Sequence, residues 1–247
     1  MRLVELSRSE HAGLRIRAEL AETSASNQHL IPIVASEFRK AAIQYPIVFA
    51  KHSETGRFNS YILNGLGLNE NLFWTGTELD VAYVPLNVRR QPFYVRIDAA
   101  AEGPAENVLC IDLDNPCLDA SGAQTIVNSD GSDSVYLKEI LSILGELVAG
   151  QETTAQFIAT LLSLELLTPI LLDIALDDGT PLRLEGLYGL DEERFRQLEE
   201  REILRLRQTG YLDLIYSVSI ASGQIFKLIR LKNQRIALRR AWHTNAG

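Results

Sequence analysis

From Leu30 to Ile97 the chain is punctuated by short apolar runs rich in β-branched and aromatic residues, each closed by Pro, Gly or Asn. The runs are Leu30–Ala35, Ile47–Ala50, Tyr61–Leu63 and Phe93–Ile97. All are shorter than the roughly 10 residues an amphipathic helix needs, and the breaks between them recur too often for one to form across them. A fifth run, Val108–Ile111, follows the same rule. This part of the chain is therefore expected to fold as short, mostly antiparallel strands.

The character changes at the polar cluster Asn128–Ser134. Asp133 or Ser134 is suited to accept hydrogen bonds from the unpaired amides at the start of a helix. Beyond it Tyr136, Ile140, Leu144, Leu147 and Val148, and then Phe157, Ile158, Leu161 and Leu162, recur at helical spacing. This predicts one long helix, bent or broken near Gly150 because glycine lowers helix propensity by about 1 kcal/mol, and ending before Pro169. Ile170–Leu176 and Leu182–Glu185 read as a β-hairpin with Pro181 at an edge or in the turn. Asp191 opens a further helix with acids near its positive end, Gly210 stops one, and a last helix runs on from Leu212 across Gly223. The fold class expected is α+β. A β-rich part, about 1–128, precedes a helix-rich part, about 129–247, that contains the hairpin, with no linker or repeat to divide the single domain 1–247.

Several function classes fall away on composition. Charges at Arg2, Glu5, Arg8, Glu10, Arg15 and Arg17 leave no uninterrupted apolar stretch for a secretory signal, so a cytoplasmic location is expected. The most apolar window, Phe157–Leu176, is interrupted by Glu165, Pro169 and Asp173, which argues against a membrane span. Cys110 and Cys117 match no zinc spacing and read as two reduced thiols. The net charge of −8 divides unevenly: no Asp or Glu follows Asp213, while six Lys or Arg do, so the tail carries +6 and the remainder −14. That acidity disfavours nucleic acid as a partner. The basic last helix fits an acidic partner or an anionic membrane surface, and equally a solvated face whose cations suit a helix C-terminus.

Catalytic signatures are missing: there is no G-x-S-x-G, Walker loop, H-E-x-x-H or G-x-G-x-x-G after a strand. Gly65-Leu66-Gly67 reads as a turn, and His11, His29, His52 and His243 are scattered without a partner at ligand spacing. No cofactor is expected. Two constellations remain. Asp112 and Asp114 alternate at the end of the Val108–Ile111 run, as a divalent metal site of a transferase or peptide-modifying enzyme would want, or as a strand end entering the Asn115-Pro116 turn would supply. Arg89 and Arg90, beside Pro92 and near Trp74, Phe73 and Tyr83 in sequence, suit bidentate capture of an anion next to an aromatic surface. In an alternating strand one of those arginines would instead pair with Glu70 or Glu78. Glu37 follows Ser36 at a helix start, where capping explains an acid better than catalysis does.

Taken in order, Pro32–Phe38, Tyr45–Phe49, Asn71–Phe73, Tyr83–Pro85 with Arg89, Arg90 and Pro92-Phe93, then Asp178-Gly179, Leu184–Glu193, Leu214–Tyr216 and Ser222–Gln224 resemble the SapC family of bacterial proteins. The resemblance runs from about His29 to Arg235. The family takes its name from an association with surface-layer protein genes, and similar proteins lie beside genes for outer-membrane receptors and for oxygenase- or halogenase-like enzymes. It thereby implies an accessory role in envelope or nutrient-uptake biology and brings no catalytic residue set. The resulting expectation is a non-catalytic protein that recognises a peptide, a partner protein or a small anionic ligand through Trp74, Tyr83, Arg89 and Arg90.

Overall fold

A computed structural model describes residues 1–98 and 106–245, with the side chains of Ile174 and of residues 243–245, His243 included, outside the description. The strands are β1 (Leu3–Glu5), β2 (Arg15–Ile16), β3 (Leu30–Pro32), β4 (Ile47–Lys51), β5 (Phe58–Leu63), β6 (Phe93–Asp98), β7 (Glu106–Asp112), β8 (Gln124–Thr125), β9 (Leu167–Pro169), β10 (Leu172–Ala175), β11 (Pro181–Leu184) and β12 (Leu187–Leu190). The helices are α1 (Phe38–Ala41), α2 (Leu86–Arg89), α3 (Val135–Ser163), α4 (Glu192–Arg196), α5 (Glu200–Gln208), α6 (Tyr211–Ser222) and α7 (Ile225–Asn245). Antiparallel sheets dominate the N-terminal half and helices the C-terminal half, which makes the fold α+β.

The described chain forms two compact units, neither of them one continuous stretch. The first is built from Met1–Ser26, Gly76–Leu79 and Val84–Ala149; the second from Asn27–Thr75, Asp80–Tyr83 and Gly150–Gly247. In the first, β7 lies between β1 and β6, and β2 pairs with β8. Its core holds Ile16, Phe93, Cys110, Ile111, Cys117, Ile126 and Leu137, all with no measurable exposure. Both cysteines are free, as the spacing predicts. The helix start at Ser134 is also as predicted, its Oγ accepting the Leu137 N–H at 3.0 Å.

The second unit is organised on a five-stranded antiparallel sheet in the order β3-β5-β4-β12-β9, with the predicted hairpin β10–β11 separate from it. Proline sits only where the ladder allows it: Pro32 and Pro169 on edge strands and Pro181 at the start of β11. The sheet packs on an aromatic cluster centred on Phe157, whose ring meets Phe38 at 5.9 Å and Tyr211 at 5.4 Å, both edge to face. The expected break at Gly150 does not occur, for α3 is continuous from Val135 to Ser163. Close packing supplies a reason for the glycine: a Cβ on Gly150 would come within 2.7 Å of Val34. Asp191 caps α4 by accepting the Arg194 N–H at 2.8 Å, and Gly210, at φ +76°, divides α5 from α6. The predicted last helix is two helices, ending at Ser222 and resuming at Ile225. Among the described residues one stretch, Tyr211–Trp242, is long and apolar enough by length and composition to cross a membrane.

Candidate functional site

The second unit contains a cleft of about 230 Å³ whose walls come from three segments: Leu72–Thr75, Asp80–Ala82 and the inner face of α7. The first segment is delivered by a tight loop. Leu72 N–H bonds to Asn64 O at 2.8 Å, Asn71 Oδ1 accepts the Phe73 N–H at 2.9 Å, and Asp80 N–H bonds to Phe73 O at 2.9 Å. The loop closes so tightly that a Cβ on Gly65 would overlap the Glu70 carbonyl at 2.2 Å, which explains glycine in the Asn64-Gly65 turn. Gln44 clamps the second segment from beneath, its Nε2 donating to Asp80 O at 3.0 Å and its Oε1 accepting from Ala82 N at 2.6 Å.

Helix α7 forms the opposite wall through Lys227 and Leu231. Lys227 Nζ stands 5.2 Å from the centre of the Phe73 ring, and that ring meets Tyr45 edge to face at 5.0 Å. Two further contacts hold the helix there: Lys232 Nζ to Glu70 Oε1 at 2.7 Å, and Arg235 Nη2 to Trp74 O at 2.7 Å. Burial pulls the Arg235 guanidinium below its ordinary value, with Arg239 acting in the same sense and Glu70 opposing both. The cleft is thus lined by one ammonium, Lys227, by Phe73 and Trp74, by the apolar Leu72 and Leu231, and by the polar Gln44, Thr75 and Asp80. An ammonium beside aromatic faces suits a carboxylate attached to an apolar body.

Trp74 is half-buried and lines this cleft. Tyr83 is placed close by but serves internally: its hydroxyl donates to Glu37 Oε1 at 2.9 Å, and its carbonyl accepts from Tyr45 OH at 2.8 Å. Glu37 is buried at 1% exposure, yet its other oxygen accepts the Val34 N–H at 2.9 Å, which is the capping role the sequence suggests.

Arg89 and Arg90 belong to the first unit. They lie on and just after the short helix α2, which starts behind Pro85, and not on an alternating strand. Their partners accordingly differ from the expected Glu70 or Glu78. Arg89 reaches Glu139 at 3.2 Å. Arg90 folds back on its own turn, donating to Asn87 Oδ1 at 2.9 Å and Phe93 O at 2.7 Å while stacking over Tyr94 at 4.0 Å. Burial holds its guanidinium below the ordinary value.

Asp112 and Asp114 are engaged as well. Asp112 Oδ1 accepts the Arg2 N–H at 2.7 Å and the Asp114 N–H at 3.2 Å, so it fastens β1 onto the end of β7; Asp114 lies 3.7 Å from Arg2 Nε. Among the described residues no group of three or more His, Cys, Asp or Glu side chains is arranged to hold a metal. Sequence reading missed Lys227 as the cation of the cleft, because it treats the basic tail as one feature. Helical phasing separates the residues that face inward, Lys227, Leu231 and Arg235, from those that face out.

The family model for SapC matches residues 6–228 of the chain. No curated protein sequence and no solved structure matches it.

Proposed function

The chain belongs to the SapC family, and from that premise we propose that it is a cytoplasmic accessory protein of bacterial envelope or nutrient-uptake systems. It binds, without chemical conversion, a small organic carboxylate with an apolar or aromatic body, either free or as the end of a peptide, in the cleft between Trp74 and Lys227. The observation that carries this reading is the placement of the Lys227 ammonium over Phe73 in the lining of that cleft, with no carboxylate paired to it among the described residues. A cation kept beside a ring and out of a salt bridge is available to an incoming anion. The family supports an accessory role, and Asp112, Asp114, Arg89 and Arg90 are each engaged by partners of their own.

Trp74 supplies the assay. In a Trp242→Phe background it is the remaining tryptophan, so its emission reports the cleft alone. Titration with phenylacetate, and with a short peptide ending in phenylalanine, should quench or shift that emission saturably. Lys227→Met should weaken the response by about tenfold or more, the usual worth of a charge-assisted hydrogen bond, with the thermal melt unchanged. An unaltered response in Lys227→Met, or none with either probe in the parent, overturns the assignment.

A further inference from the structure

We infer, resting on the carboxylate reading of the cleft, that its ligand is a free α-amino acid with an apolar side chain, held as a zwitterion with its carboxylate at Lys227 and its ammonium at Asp80. The residues lining the cleft include one cation, Lys227, and one anion, Asp80, and no other charged side chain. Neither is neutralised inside the protein. Among the described residues the two form no ion pair with each other, and the Asp80 carboxylate has neither an ion pair nor a side-chain hydrogen bond. The backbone of Asp80 is nevertheless pinned: its N–H donates to Phe73 O at 2.9 Å and its carbonyl accepts from Gln44 Nε2 at 3.0 Å. Gln44 is itself 6% exposed and receives the Ala82 N–H at 2.6 Å on its other end, so the chain is fixed on both sides of Val81. An unpaired carboxylate on a fixed backbone is open to an incoming cation.

Charge decides between a simple carboxylate and an amino acid. A ligand with a carboxylate alone is attracted by Lys227 and repelled by Asp80 within one cleft of about 230 Å³, where the buried Leu72 and Phe73 strengthen both effects. An ammonium on the carbon next to the carboxylate turns the repulsion into a second attraction. An amine alone meets the opposite penalty at Lys227. The carboxyl end of a peptide fits less well than a free amino acid, because its α-nitrogen is an uncharged amide. With both charges of the ligand matched, no charge is left unpaired when water leaves the cleft. The half-buried Trp74 and Leu231 then take the apolar side chain.

Isothermal titration calorimetry of the full chain tests this with L-phenylalanine, with hydrocinnamate, which is the same molecule without the ammonium, and with phenethylamine, which lacks the carboxylate. L-Phenylalanine should bind at least about tenfold more tightly than either, the usual worth of one charge-assisted contact. Asp80→Asn, which keeps the backbone bonds to Phe73 and Gln44, should melt as the parent does, weaken L-phenylalanine by about tenfold and tighten hydrocinnamate, from which a like charge has been removed. Equal affinities for L-phenylalanine and hydrocinnamate, or a preference that survives in Asp80→Asn, overturns the inference and leaves the carboxylate reading standing. No heat with L-phenylalanine or hydrocinnamate, and no saturable binding of either by competition, removes that reading and the inference with it. Phenethylamine binding as tightly as L-phenylalanine removes both as well, because Lys227 would then contribute nothing.

Discussion

Lys232 and Glu70 meet at 2.7 Å with side chains only 25% and 15% exposed, and the second oxygen of Glu70 accepts the Leu66 N–H at 3.1 Å. One carboxylate thus joins α7 to the loop that presents Phe73 and Trp74. Removing one partner from a partly desolvated pair leaves the other charge unpaired.

Glu70→Ala should therefore lower stability by about 1–3 kcal/mol in urea melts, more than an exposed ion pair would give. Glu70→Gln, which keeps an acceptor for Leu66, should lose less. In a double-mutant cycle with Lys232→Met the two losses should be coupled by about 1 kcal/mol. Strict additivity would mean the pair does not act as a tie.

Two glycines in one helix give opposite expectations. At Gly145 an added Cβ meets nothing within 4 Å, so Gly145→Ala should stabilise by up to about 1 kcal/mol through helix propensity alone. At Gly150 the same atom would meet Val34 Cβ and Cγ2 at 2.7 Å, and overpacking of about 1–3 kcal/mol outweighs the propensity gain. Thermal melts of the two variants should move in opposite directions. Movement in the same direction would show that the contact with Val34 relaxes without cost.

Local signals carried much of the fold: β4, β5, β6 and β7, the hairpin, and the caps at Ser134 and Asp191 all follow from periodicity, Pro and Gly placement and side-chain acceptors. Pairings that depend on distant chain were not legible. Strand β12 joins β4 through Leu187 opposite Ala50 and Tyr188 opposite Phe49, and its four residues, one a glycine, carry no strand signal of their own. Gly150 misled because propensity describes an isolated helix, whereas its reason is a side chain from another element. Of the candidate site, Trp74 was legible as an aromatic in a Gly/Asn-bounded loop. Lys227 was not, because choosing one cation from a run of six requires knowing which face of α7 turns inward.

Alkaline pH should destabilise the first unit in a defined window. Burial pushes the Cys117 thiol from 9.0 up to about 11, with the Glu19 charge adding to it, and raises the Tyr136 hydroxyl above its ordinary 10.0, with smaller contributions from Cys117 and Glu139. The folded state binds these protons more tightly than the unfolded chain does. Their stabilising contribution is fully present below pH 9.0 and is lost as pH rises from there to about 11 for Cys117. Urea melts should show stability falling over that range, and Cys117→Ala should flatten the fall. An identical slope in the variant would exclude the thiol as its source.

Asp112 gives the sharpest separation between a structural and a metal-binding role for the Asp112/Asp114 pair. It is 7% exposed and its Oδ1 satisfies two backbone donors, on Arg2 and Asp114. Asp112→Ala leaves both donors without that acceptor and should cost about 1–3 kcal/mol, read as a lower melting temperature and faster hydrogen exchange in β1. Asp112→Asn keeps a carbonyl oxygen at the same position and should stay close to the parent. A divalent ion would pull Asp112→Asn down as well, because an amide is a poor substitute for a carboxylate ligand and both variants would lose the metal alike. The expectation is no rise in melting temperature with Mn²⁺ in the parent. A rise that Asp112→Asn abolishes would reinstate the metal-dependent reading.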